Sequence, residues 1–167
     1  VSSSEHKAMA PARVRVFVLT VSDTRTDDTD TAGLAICELL TANGHVVAGK
    51  AIEKDEPVRV AELVRQQAAI GDVDAIITTG GTGLTSRDST FEVIDALLTK
   101  RIPGFGELFR MLSYHDIGSA AMMSRASAGT IGRIVVISLP GSENAVRLAM
   151  DKLVIPELAH LVQQATK

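Results

Sequence analysis

From Val14 the chain reads VRVFVLTV, a largely β-branched run without strict alternation, the pattern of a strand covered on both faces. Such a strand requires helices on both sides of its sheet. The polar stretch SDTRTDDTD follows, and then TAGLAICELLTANG, where Leu34, Ile36, Leu39 and Leu40 recur near helical spacing and Gly44 stands where a helix would end. HVVAGKAI predicts a second strand. Asp55 can cap the next helix, with Pro57 in its first turn and Val60, Leu63 and Val64 as its apolar stripe up to Gly71. DAIITT predicts a third strand, stopped by GGTG, and after a loop to Asp88 the segment STFEVIDALL resumes helical periodicity through Phe91, Ile94, Leu97 and Leu98. Alternation of strand and helix predicts a parallel sheet with right-handed crossovers, with ligands gathered at the carboxyl ends of the strands.

The second half departs from this order. After the connector RIPGFG comes a helix, ELFRMLSYHDI, and then SAAMMSRASAGTIGRIVVISLPGS, whose glycine-rich turn between β-compatible runs predicts a hairpin. The last strand, Arg133 to Leu139, is therefore expected antiparallel to its predecessor, and its end need not lie beside those of the other strands. The segment from Ser142 is helical, with Pro156 expected to kink or divide it. Residues 1–12 read as a flexible tail and 13–167 as a single domain.

Composition narrows the function classes. With 167 residues the chain can bury a core without staples, and its one cysteine, Cys37, excludes an internal disulfide and favours a reducing, cytoplasmic setting. A balance of 17 basic against 20 acidic residues, with 3% aromatics and no Trp, argues against nucleic acid as a partner. No apolar run approaches the roughly 20 residues of a spanning helix, so no membrane role is expected.

The strongest local motif is TTGGTGLTSRD, Thr78 to Asp88, which sets glycines directly after an apolar strand and ahead of a helix. Backbone N–H groups of such a loop can approach a phosphate closely, and the alternative is a tight strand-to-helix turn. It is neither a Walker A loop nor GxGxxG. Asp88 beside a phosphate site points to Mg2+ and phosphoryl or nucleotidyl transfer, or else to an N-cap at Ser89-Thr90. Asp55 carries the same pair of readings, on the same rim. Ser22-Asp23 after the first strand and Pro140-Gly141-Ser142 after the last are further rim segments, the latter able to present helix amides or to serve as an ordinary junction. The histidines have no HxxxH or HExxH spacing, and no GxSxG elbow is present.

Taken together, LTVSDTR (Leu19 to Arg25), Asp55-Glu56, TTGGTGLTSRDST, PGFGELFRMLS (Pro103 to Ser113), MSRASAG (Met123 to Gly129) and LPGSENAV (Leu139 to Val146) closely resemble the MoaB/MogA family of molybdenum cofactor biosynthesis proteins. MLSYHDIGS and SRASAG look closer to the MoaB branch. The resemblance runs from about Val14 to the end. It implies a three-layer α/β/α fold with a mostly parallel sheet and one antiparallel edge strand, and a homo-oligomer, trimer or hexamer. It also implies a separate MoeA-like metal insertase as partner. The implied activity is molybdopterin adenylyltransfer: the terminal phosphate of molybdopterin takes AMP from ATP with Mg2+.

Carried over by motif, Asp55 and Asp88 are the implied catalytic and Mg2+-holding residues. Gly80, Gly81, Thr82 and Gly83 are implied to offer amides and a hydroxyl, with Ser22, Asp23, Ser124, Pro140, Gly141, Ser142 and Asn144 lining the same pocket. The sequence departs from the family where Lys54 precedes Asp55 in place of a frequent Pro, and where Phe91 stands for the Pro of DVTPE. Two other readings stand beside the enzyme: a catalytically silent molybdopterin- or nucleotide-binding protein of the same pathway, and an oligomeric scaffold using the Phe109, Met111, Leu112 and Met122 region.

Overall fold

Aliphatic runs form six strands, β1 (Arg15–Val21), β2 (Val46–Glu53), β3 (Ala75–Thr79), β4 (Lys100–Arg101), β5 (Ser127–Ile131) and β6 (Ile134–Leu139), in a computed structural model that describes residues 2–167. They join in one sheet of order β2-β1-β3-β6-β5-β4. Successive side chains of a strand point to opposite faces. On one face Val16, Val18, Ile77 and Ile137 pack with Ile36, Leu40, Phe109, Val146 and Leu158. On the other, Phe17, Leu19, Ile76 and Val136 pack with Val60, Val64 and Ile94. Both faces are therefore covered, which is why β1 reads as a continuous apolar run.

The covering helices are α2 (Thr31–Ala42), α5 (Pro103–Ile117), α6 (Glu143–Ala149) and α7 (Ile155–Thr166) on the first face, and α3 (Pro57–Ile70) and α4 (Thr90–Leu97) on the second. The three-layer α/β/α arrangement is thus present. A short α1 (Ser3–Ala8) precedes β1, with Lys7 paired to Glu157 on α7. Val1, inside the expected tail, lies outside the described residues.

β1 pairs in parallel with β2 and β3, and β3 in parallel with β6. The predicted hairpin exists, turning at Gly132-Arg133, and β5 is antiparallel to β6. The end of β6, which the hairpin left free to lie away from the other strands, stands level with β3 through the register Ile77↔Ile137 and Thr79↔Leu139. The chain enters β5 from the rim through a 3-10 turn, Gly118–Met123, so β5 is the reversed strand and β6 runs forward again. Outside β5 lies only the two-residue β4.

Helix α5 begins one turn earlier than the sequence indicates, because Pro103 serves as its first residue, where the missing N–H costs nothing. The terminal helix is divided by a π turn, Met150–Val154. Pro156 follows at once, and with no N–H it cannot bond back to the preceding turn.

Asp30 ties three of these elements together. It caps α2 by accepting from Gly33 N (3.0 Å), accepts from Thr20 Oγ1 of β1 (2.7 Å) and pairs with Lys50 Nζ of β2 (2.7 Å). Burial opposes its charge, but Lys50 and the bonds from Thr20 and Gly33 outweigh that and hold the carboxyl below the usual carboxylate range. Asp30→Ala removes the buried partner of Lys50, leaving it only the exposed Asp27 at 4.0 Å, and is expected to cost about 3 kcal/mol at pH 7 in urea unfolding. Since the folded-state pKa is depressed, the stabilisation is complete above the unfolded value and fades as pH falls through the folded one. The gap between wild type and variant is therefore expected to narrow below about pH 4.

Candidate functional site

Four parallel strands end on one rim, and each hands the chain to a segment singled out in the sequence. β1 leads to Ser22-Asp23, β2 to Lys54-Asp55, β3 to Gly80-Gly81 and β6 to Pro140-Gly141. The ladders extend one step past the strands, through Ser22 N to Glu53 O (2.9 Å) and Gly80 N to Leu139 O (3.1 Å). The loops consequently start at fixed positions.

The glycine run turns sharply there. Gly80 and Gly81 have φ of +93° and +69°, in the left-handed region. A Cβ on Gly80 would stand 2.2 Å from Val21 O, and one on Gly81 would stand 1.9 Å from Thr90 Oγ1 and 2.8 Å from Asp55 Oδ2. No larger residue fits either position.

Asp55 does not cap α3: Glu56 occupies that N-cap without a side-chain bond. Instead the Asp55 carboxylate crosses the rim to the start of α4, where Oδ1 accepts from Ser89 Oγ (2.5 Å) and Ser89 N (3.3 Å). It is 6% exposed. Burial pushes its carboxyl up, Ser89 opposes this, and the nearby charges of Asp88 and Asp23 push the same way as burial. Asp88 is not the N-cap of α4 either, since Ser89 holds that position. Its Oδ2 closes a turn by accepting from Thr85 N (2.9 Å) and Thr85 Oγ1 (2.6 Å). Asp23 Oδ1 accepts from Asp55 N (3.2 Å) and Arg87 Nη2 (2.8 Å), and Oδ2 from Arg87 Nε (3.0 Å). That guanidinium holds Asp23 below the usual carboxylate range and also reaches Glu56 (3.2 Å).

The predicted residues fall into two adjoining cavities. Ser22, Asp23, Asp55, Gly80, Gly81 and Asp88 line one of about 260 Å3, with Asp30, Arg25 and Arg87. Thr82, Gly83, Ser124, Pro140 and Ser142 line the other, of about 310 Å3, with Phe109, Met123 and Ala145. Gly141 belongs to both. Asn144, in the first turn of α6, lines neither. Ser142 is the N-cap of α6, accepting from Ala145 N at 3.2 Å. An open groove of about 1120 Å3 along β2 shares Ser22, Asp23 and Arg25 with the carboxylate cavity. Sequence reasoning passed over Arg87 and Arg125, although both stand inside motifs it quoted, TSRD and MSRASAG. A lone arginine in a loop, one residue after a serine, carries no periodicity to betray its partners.

Among the described residues no group of three or more His, Cys, Asp or Glu side chains could hold a metal ion. Mg2+ needs only one or two carboxylates and completes its shell with water and phosphate oxygens. Asp55 Oδ2 and Asp88 Oδ1 accept no hydrogen bond from described residues, and both side chains line the same cavity. These residues fit such an ion.

Residues 17–160 match the family described as "Probable molybdopterin binding domain". The chain belongs to the MoaB/MogA family of molybdopterin biosynthesis. It is similar to molybdenum cofactor biosynthesis protein B of Bacillus anthracis, 54% identical over 161 residues that cover 96% of this chain and 95% of the relative. The protein of the same name from Bacillus subtilis is 52% identical over 99% of this chain and 98% of its own length. A crystal structure of a molybdenum cofactor biosynthesis protein B superposes with a TM-score of 0.91 at 52% identity, covering 95% of this chain and 99% of that one. In this MoaB-branch chain, the Gly80–Gly83 loop, Asp55 and Asp88 stand on the common rim of β1, β2, β3 and β6.

The raised pKa of Asp55 has a consequence for stability. A carboxyl whose folded pKa lies above its unfolded value destabilises the fold once pH exceeds both. Asp55→Asn keeps an acceptor for Ser89 and removes the charge, so it is expected to be at least as stable as wild type in thermal melts at pH 7. The advantage is expected to shrink as pH falls through the raised folded-state pKa and to be gone below about pH 4, where the unfolded carboxyl is protonated too.

Proposed function

We propose that this protein binds molybdopterin on the rim, as a binding protein of the molybdopterin pathway. The observation that carries the reading is the pair of adjoining cavities meeting at Gly141, one walled by carboxylates and the other by hydroxyls and apolar side chains. The pterin body suits the second, where Ser124, Ser142 and Thr82 offer polar atoms beside Phe109 and Met123. Its terminal phosphate suits the boundary, near the Gly80 to Gly83 loop, where backbone amides favour an anion. Family membership supports the ligand class.

A second reading, molybdopterin adenylyltransfer, is favoured by Asp55 and Asp88, each with a free carboxylate oxygen in the cavity next to that phosphate. In that reaction an oxygen of the molybdopterin phosphate attacks the α-phosphorus of ATP, the bond from that phosphorus to the bridging oxygen breaks, and pyrophosphate leaves. Bound Mg2+ would neutralise charge on the phosphate oxygens. Asp55 and Asp88 would hold the ion, and Ser89, bonded to Asp55, would fix its carboxylate. With either reading go a cytoplasmic setting, a MoeA-like insertase as partner, and a trimer or hexamer. The exposed apolar side chains of Met111, Tyr114, Ile117 and Met122 offer surface for such assembly.

Calorimetric titration with molybdopterin tests the first reading; wild-type protein is expected to bind in the micromolar range or tighter. Gly81→Ala, which must push aside Thr90 and the Asp55 carboxylate, is expected to weaken binding by about tenfold or more through displaced amide donors. Absence of wild-type binding refutes the reading. Adding Mg-ATP and assaying pyrophosphate separates the two readings, since a binding protein releases none.

A further inference from the structure

We infer that Arg125 is the positioning residue for phosphate recognition: it turns the peptide planes of the glycine loop so that the N–H groups of Gly83 and Leu84 face the ligand. The inference rests on the proposed phosphate site and concerns a residue that does not itself touch the ligand.

Arg125 stands just before β5 with its side chain only 22% exposed. Its Nε donates to Thr82 O at 3.1 Å, Nη2 donates to Gly83 O, and Nη1 pairs with Glu92 on α4. The guanidinium carbon lies 5.0 Å from the ring centre of Phe91, within cation–π range. Two carbonyls and a carboxylate take three of its five N–H groups, one on each nitrogen, and an aromatic ring covers its face.

Its effect passes through the loop. In a trans peptide the C=O and the following N–H point in opposite directions. With Thr82 O drawn to Arg125, the N–H of Gly83 must point away from it, and with Gly83 O drawn there too, so must the N–H of Leu84. Neither amide donates to any described residue. Arg125 and Phe91 line a cavity of about 400 Å3 on one side, while Thr82 and Gly83 line the candidate ligand cavity. The loop is thus a wall with its carbonyls toward the arginine and its amides turned from it. A cation on the carbonyls also polarises those peptide groups, which strengthens their N–H donors. Lysine cannot substitute, because a point charge lacks the planar fork that sets two carbonyls at once.

The test uses the full chain labelled with 15N, titrated with inorganic phosphate and, separately, with molybdopterin. In wild type, phosphate is expected to shift the amide resonances of Gly83 and Leu84. Arg125→Gln is expected to lose those shifts and weaken phosphate binding by about tenfold, the scale of charge-assisted hydrogen bonds. Arg125→Lys is expected to stay weak although the charge is kept, and Phe91→Leu to fall about two- to threefold as the guanidinium loses its platform. Wild-type affinity in a well-folded Arg125→Gln, or full rescue by Arg125→Lys, overturns the inference. If Arg125→Gln loses its dispersed spectrum, Phe91→Leu decides, and unchanged affinity there overturns it. Molybdopterin binding that leaves both amides unshifted overturns the role of Arg125 alone. Failure of molybdopterin to bind, with the phosphate shifts intact, overturns the proposed function and leaves Arg125 in its role.

Discussion

A parallel sheet whose inner strands β1, β3 and β6 are buried on both faces imposes the constraint from which the rest of the molecule follows. Buried backbone groups must find their partners within the sheet, so β1, β3 and β6, with β2 at the edge, run side by side and stop at one level. Helices packed on both faces fill the sides, and only the strand ends remain open. The loops that carry Ser22-Asp23, Asp55, Gly80-Gly81 and Pro140-Gly141 therefore emerge on the same rim. The reversal at β5 serves that end. By entering from the rim and returning through Gly132-Arg133, the chain brings β6, and with it Pro140 to Ser142, to the same level as Gly80.

The rim is distinguished by how its charges are settled. Asp30 and Asp23 each have a cation within hydrogen-bond distance, Lys50 and Arg87, and both carboxyls lie below the usual range. Asp55 has only neutral donors from Ser89, and burial raises its pKa. The paired aspartates hold the scaffold around the unpaired one. A buried carboxylate without a cation costs folding free energy, and a cost retained beside the glycine loop is the physical pattern of a functional-site candidate.

The fold was readable because apolar periodicity records burial, and burial here is regular. Alternating strands and helices, the hairpin and the division near Pro156 all leave a pattern in the chain. The direction of β6 was not readable, since a hairpin states only that two strands oppose each other and not which of them opposes the sheet. Nor were the roles of Asp55 and Asp88. An aspartate before a helix reads as a cap for that helix, and nothing local reports that Asp55 instead reaches Ser89 at the start of α4, or that Asp88 folds back on Thr85. The split of the rim into two cavities joined at Gly141 depends on loops meeting across the sheet, which no spacing encodes.

The scarcity of aromatics gains meaning from the site. Only five residues of the chain are Phe or Tyr, so a flat heterocycle cannot be held chiefly by stacking. Of the rings near the rim, Phe109 is 1% exposed and belongs to the core. Phe91 is turned to the guanidinium of Arg125. Recognition must then fall to amides, hydroxyls and carboxylates, groups that are directional and lose their value when misaligned. A site of that kind needs its backbone fixed more than it needs additional contact area. Here an aromatic ring steadies an arginine, and the arginine steadies two peptide planes, so the ring contributes to recognition without facing the ligand.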